Sequence, residues 1–182
     1  MKALRVLLSV ACLSLPACYS FDFPLDPKPQ VPVDARLLGA WRCLATQADL
    51  DEGPGILRIT RQTEFVSKWN FESPAEGGAP EKSDYEVYAS TVKGGALLNA
   101  REVGEKAETT WSLVRYTFLL PDVLRIQAMH DEPFEKIKDA KGLRKAVEKR
   151  RDDPEIYADF MICVRPAPPL LPSPSPSPTP RF

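Results

Sequence analysis

The sequence predicts an all-β domain, about eight antiparallel strands closing into a barrel, with one helix before the last strand. Two observations carry this reading. Through most of residues 37–165 apolar side chains recur at every second position, the period of a half-buried strand. Between those runs sit turn-forming clusters: Glu52-Gly53-Pro54-Gly55, Glu76-Gly77-Gly78-Ala79-Pro80, Lys93-Gly94-Gly95 and Pro121-Asp122. A third observation closes the set. The first and last apolar runs each contain one cysteine, so the two end strands are expected to meet.

The elements follow in chain order. Leu37-Leu38-Gly39-Ala40-Trp41-Arg42-Cys43 opens the domain, and Ile56 to Arg61 is the second candidate strand. In Thr63 to Phe71, Phe65, Ser67, Trp69 and Phe71 share one face, while Glu64, Lys68 and Asn70 share the other. Ser83 to Thr91 alternates likewise, with Tyr85, Val87 and Ala89 opposite Glu86 and Ser90. Ala96 to Val103 follows. Val114, Tyr116, Phe118 and Leu120 then share a face, as do Leu124, Ile126 and Ala128. Phe160-Met161-Ile162-Cys163-Val164-Arg165 is the closing strand.

One stretch breaks the two-residue period. Asp139 is placed to cap a helix running to about Arg151, with Leu143, Ala146 and Val147 on one stripe. Asp152-Asp153-Pro154 ends it and starts one more turn through Tyr157. Lys141, Arg144, Lys145, Lys149, Arg150 and Arg151 crowd this helix, as expected of a solvated outer face that also complements the helix dipole. Contact with anionic headgroups is the alternative reading of the same charges.

The ends differ from the middle. Met1 to Ala17 has the secretory layout of a basic start (Lys2, Arg5), a short apolar core and a small residue at the cut. Residues 18–35 contain Pro24, Pro27, Pro29 and Pro32 and read as an extended tether to a barrel domain over 36–165. Residues 166–182 end in Pro172-Ser173-Pro174-Ser175-Pro176-Ser177-Pro178-Thr179-Pro180, expected to be disordered, solvated polyproline II. A spacer, a wall-facing arm, a glycosylated stretch and an inert extension all fit that composition.

Of the four cysteines, Cys12 lies inside the leader and Cys18 ends it. Cys43 and Cys163 remain, and in an exported chain two cysteines form a disulfide more readily than a metal site, which needs further ligands. The antiparallel register that opposes Cys43 to Cys163 also opposes Trp41 to Arg165, a closure pair able to stack guanidinium on indole.

Leu15-Pro16-Ala17-Cys18 resembles the lipobox of bacterial lipoproteins. That resemblance implies cleavage before Cys18, a diacylglycerol thioether on its sulfur and acylation of the new amino terminus. It further implies a membrane partner reached through the lipid anchor, with the soluble body in the periplasm or at the surface. Tyr19 rather than Asp follows the cysteine, which by the same resemblance favours the outer membrane. An ordinary signal peptide is the alternative. No other stretch approaches the ~20 apolar residues that span a bilayer.

Gly39-Ala40-Trp41 resembles the Gly-x-Trp signature on the first strand of lipocalin-like barrels. In that family the tryptophan packs near an arginine close to the last strand, and a helix precedes that strand. Here Arg165 and the helix near 139–151 stand in those places. The resemblance implies a lipocalin-like barrel and the binding of a small apolar ligand, lined by Phe65, Trp69, Tyr85, Tyr116 and Phe118. The same inventory of inward aromatics fits a barrel filled by its own side chains. A structural or assembly lipoprotein that acts on other envelope proteins through its outer surface is therefore the rival expectation.

Several classes are disfavoured. The formal net charge is −1, and losing Lys2 and Arg5 with the leader leaves 22 basic against 25 acidic residues, which argues against nucleic acid. His130 is the only histidine, and its neighbours Asp131 and Glu132 alternate in direction along a strand. A cysteine–histidine nucleophile would need a reduced thiol, which export disfavours. Gly94-Gly95 has neither the Lys-Ser/Thr nor the following helix of a phosphate-binding loop. No catalytic residue, metal or cofactor is expected, and the chain is read as no enzyme.

Overall fold

A computed structural model of the chain describes residues 20–46, 53–73, 80–104, 107 and 109–166. Eight antiparallel strands, β1 (Gly39–Ala45), β2 (Gly55–Arg61), β3 (Val66–Ser73), β4 (Glu81–Val92), β5 (Gly95–Glu102), β6 (Ser112–Leu120), β7 (Val123–Met129) and β8 (Tyr157–Val164), form a closed barrel in chain order. β8 pairs with β1, so no strand edge is left open. One helix, α1 (Ala140–Arg150), stands before β8, with short 3₁₀ turns at Ala35–Leu37, Glu132–Phe134 and Pro154–Ile156. Eight strands are what the alternating pattern predicts, and the helix before the last lies where that pattern breaks.

Local chemistry explains the boundaries. The Asp139 carboxylate accepts from the Gly142 N–H at 2.7 Å, capping α1, and Asp153 caps the turn at Pro154–Ile156 in the same way. Gly94 (φ +87°) and Gly95 (φ +158°) make the β4–β5 turn. A Cβ on either would collide with the Arg151 guanidinium, whose Nη1 donates to the Lys93 carbonyl. The end of α1 is thereby fastened to that hairpin.

Two apolar layers hold the barrel. Inside, Leu37, Trp41, Cys43, Leu57, Ile59, Trp69, Val87, Leu98, Val114, Leu124, Ile126, Met161 and Cys163 form the lumenal core. They alternate along the strands with outward residues, and each full burial of such a side chain contributes roughly 1.5–3 kcal/mol. Outside, a second cluster packs Val92, Leu97, Leu113, Met129 and Tyr157 of the barrel wall against Phe134, Leu143, Val147 and Ile156. The expected α1 stripe, Leu143 and Val147 with Ala146 beside them, is the face that covers the wall.

The segment read as a tether does not hang free. Residues 20–34 form no regular strand or helix, but they lie on the barrel as a strap held by isolated bridges at Phe21 and Val31. Phe21 and Leu25 are buried in the outer cluster, and Phe21 exchanges both backbone hydrogen bonds with Trp111 at 2.7 and 2.8 Å. Further along, Val31 bridges Ala89 where β4 runs on beyond β3. The folded unit therefore includes Phe21 to Ala35, the stretch read as a tether ahead of a domain starting at residue 36. The outward face of β4, read as polar from Glu86 and Ser90, is consequently half apolar and covered, with Tyr88, Ser90 and Val92 all buried.

Two inward assignments also shift. Phe65 is not on β3: the Thr63 hydroxyl accepts from the Phe65 and Val66 N–H groups at 3.2 and 3.1 Å, holding residues 62–65 as a turn. Phe65 sits half-buried at that turn, outside the lumenal core. Leu120 is 60 % exposed, because a register shift between Phe118 and Leu120 carries it off the inward face.

Candidate functional site

The lumen is the first place to look for a ligand. Of the residues expected to line it, Trp69 is buried in the lumenal core, and Tyr85, Tyr116 and Phe118 pack against that core. Phe65 is excluded for the reason given above. The polar groups inside are internally satisfied: Trp69 Nε1 donates to Ser67 Oγ at 3.0 Å, and Ser67 Oγ donates to the Val87 carbonyl at 3.2 Å. Closure is covalent as well as hydrogen-bonded. Cys43 opposes Cys163 in the β1–β8 ladder with Cα atoms 3.9 Å apart, and the two form a disulfide buried in the lumen.

The end of the barrel where β1 starts and β8 finishes is covered by the last part of the strap. Val33 N–H donates to the Glu64 carbonyl at 2.9 Å, and Leu37 drops into the lumenal core. Trp41 Nε1 donates to the Leu37 carbonyl at 2.8 Å. Tyr116 hydroxyl donates to Asp34 Oδ2 at 3.2 Å, while Arg36 pairs with Asp34 at 2.7 Å and lies 4.6 Å over the Phe118 ring. The Arg36 hydrogen bond holds the Asp34 carboxyl below its ordinary range. Burial, reinforced by the Asp34 charge, pushes the Tyr116 hydroxyl up to about 12.

Arg165 completes this cover. Its guanidinium lies 4.2 Å from the centroid of Trp41, and it donates to the Leu38 carbonyl at 3.0 Å and to the Arg36 carbonyl. The expected partnership is thus made through side chains. The backbone ladder itself stops at Arg42 opposite Val164, because the Arg165 N–H turns to the Asp122 carbonyl at 2.9 Å.

Beneath Val31, Pro32, Val33 and Asp34 a cavity of about 40 Å³ remains, bounded by Val87, Leu98 and Tyr116 among others. That is room for a few waters. Sites for small organic ligands run to roughly 300–1,000 Å³.

The outer surface offers a different feature. Leu44 on β1, Phe160 and Val164 on β8, and Leu119 and Leu120 at the β6–β7 turn are each between 43 % and 60 % exposed. The registers bring Leu44, Val164 and Leu120 together: Leu44 opposes Ile162, two residues before Val164, Val164 opposes Val123, and Val123 opposes Leu120. The Arg125–Asp159 pair, at 2.6 Å, lies beside this apolar strip.

Among the described residues no group of three or more His, Cys, Asp or Glu side chains is arranged to hold a metal ion, and no helix is long and apolar enough to cross a membrane. His130 directly follows β7, and its N–H donates to the Ile156 carbonyl at 2.9 Å. Cys18 with its leader and residues 167–182 lie outside the described residues. Compared with protein-family models, curated proteins and solved structures, the chain matches none.

The sequence did not single out the strap or its partners. Asn99 is wholly buried on the outer face of β5, accepting from the Leu25 N–H at 2.8 Å and donating to Ser90 Oγ at 2.8 Å. Asp26 takes Arg144 of α1 at 2.6 Å. A signal was present: Phe21, Phe23 and Leu25 alternate among the prolines, as a strand facing an apolar surface would.

Proposed function

We propose that this chain is a lipoprotein of the cell envelope, anchored through Cys18, whose filled barrel is a scaffold that engages another envelope protein through its outer surface. Support for the anchor comes from the leader and the lipobox-like Leu15-Pro16-Ala17-Cys18. Support for the scaffold comes from one observation above the rest: apolar surface lies on the outside of β1 and β8, while the cavity that the described residues leave under the strap is about 40 Å³.

The second reading, a lipocalin-like binder of a small apolar ligand, is favoured by the position of that cavity. It lies at the barrel end beneath residues 31–34, whose movement would open the aromatic interior. Native mass spectrometry of the protein from its own host separates the two. The scaffold reading expects the bare mass or a bound protein. A stoichiometric co-purifying lipid would overturn it in favour of the binder. The anchor is tested by Cys18→Ser, which is expected to leave uncleaved precursor or soluble protein. Membrane partitioning equal to wild type would refute lipidation.

A further inference from the structure

We propose that the outward crest of α1 is a docking surface for anionic lipid headgroups, held against the membrane by the packed strap. The inference rests on the anchor at Cys18 proposed above. It adds a second contact that the lipid alone does not supply.

The strap fixes the distance. Phe21 is buried in the outer cluster with its ring centroid 6.0 Å from that of Phe134, and Asp26 pairs with Arg144 of α1 at 2.6 Å. Cys18 precedes Phe21 by three residues, and three residues of chain reach at most about 11 Å. A lipid on Cys18 therefore sets the bilayer surface beside the α1 side of the barrel. A free tether of residues 18–35 would have allowed any orientation; the packing of Phe21 and Leu25 does not.

The charge fits that orientation. Leu143 and Val147 face the barrel, so Lys141, Lys145 and Lys149, spaced four apart, line the opposite side and are exposed. Arg144, between the two faces, is taken up by Asp26 and Glu148, and Arg150 by Asp153. None of the ion pairs among the described residues involves Lys136, Lys138, Lys141, Lys145 or Lys149. Residues 132–151 carry eight basic and four acidic side chains in a chain whose formal net charge is −1. This segment is thus net positive in an otherwise slightly acidic protein, and Lys141, Lys145 and Lys149 present that charge on the outward crest of α1. Basic residues near an anionic leaflet each favour binding by about fivefold, an attraction that falls off within a Debye length.

The test uses the mature chain carrying Cys18→Ser, so that no acyl chain contributes, and vesicles of phosphatidylcholine with or without phosphatidylglycerol. The expected result is cosedimentation with the anionic vesicles only, weakening as salt is raised. Lys141→Gln/Lys145→Gln/Lys149→Gln should lower the partition coefficient by about a hundredfold. Arg42→Gln/Arg58→Gln/Arg61→Gln, which removes the same charge from exposed positions on β1 and β2, should lower it less than fivefold. Absence of binding to anionic vesicles, equal binding to neutral ones, or equal losses in the two triple variants would each overturn the docking surface. Circular dichroism of both variants checks that the barrel is intact. The anchor is read separately, by the mass of the amino-terminal peptide of the wild-type protein. An unacylated Cys18 defeats the anchor without altering the vesicle result.

Discussion

Arg165 spans the seam between the last strand and the strap, with its guanidinium 4.2 Å from the Trp41 ring centroid and donating to the Leu38 and Arg36 carbonyls. The backbone makes room for it at Gly39, where φ is +117° and a Cβ would stand 3.0 Å from Arg165 Nη1. Stacking and charge-assisted hydrogen bonds together are worth about 2–4 kcal/mol in a partly buried setting. Arg165→Ala is expected to cost that much in urea unfolding. Arg165→Lys, which keeps the charge without the planar fork, should recover less than half. An Arg165→Ala midpoint within error of wild type would show that the arginine is a bystander.

The Cys43–Cys163 bridge spans a sequence separation of 120 residues, and in the chain-entropy model such a loop contributes about 4–5 kcal/mol. Cys43→Ala/Cys163→Ala should therefore lower stability by several kcal/mol. Both sulfurs belong to buried residues in the lumen, so reductant should act on the native protein only as fast as the barrel opens. Peptide mapping without reductant should return one cross-linked pair. Two free thiols in protein isolated without reductant would contradict the closure.

Much of this barrel was legible because its inner face obeys a strict period. Trp69 with Ser67, Tyr85 with Val87, and Leu124 with Ile126 alternate against polar neighbours, and the cysteines named the seam. The outer cluster was harder to see. Where a sheet is covered on both sides the alternation vanishes, as at Leu97-Leu98 and Leu113-Val114, where both members of each pair are buried. The strap was concealed by its prolines. Proline forbids a central strand but permits an extended segment that packs by side chains and isolated bridges. Phe65 failed for a local reason, since a turn built by Thr63 interrupts the period just before β3. The lumenal volume was not legible at all, because it depends on how the strap closes the end of the barrel.

If the strap is part of the fold, its anchors should carry stability. Phe21→Ala and Leu25→Ala each remove a buried side chain and are expected to cost about 2–5 kcal/mol. Asn99→Ala leaves the buried Leu25 N–H without its acceptor, a cost of about 1–3 kcal/mol. Amide exchange should show Phe21 and Leu25 protected to a similar degree as the barrel. Rapid exchange through residues 20–30, with these variants as stable as wild type, would restore the free tether.

Alkaline titration tests the packing of the strap against the barrel. Burial pushes the hydroxyls of Tyr88 and Tyr116 up to about 12, helped by the Asp26 and Asp34 charges respectively, and raises those of Tyr85 and Tyr157. Two of these hydroxyls are bound to the strap, Tyr88 donating to the Asp26 carbonyl and Tyr116 to Asp34. A tyrosine in the unfolded chain loses its proton near ~10. Above that pH the folded protein binds more protons than the unfolded one, so stability falls as pH rises. The contribution is fully present below pH ~10 and is gone once pH passes the folded value, about 12 for Tyr88 and Tyr116. Tyrosinate absorbance should accordingly lag behind that of a denatured control, and the unfolding free energy should drop steeply across this window. In Tyr88→Phe/Tyr116→Phe the lag and the slope should both shrink, because the two most shifted groups are removed. Ionisation of all tyrosines near pH ~10 in folded wild-type protein would mean that the strap leaves these hydroxyls open to water.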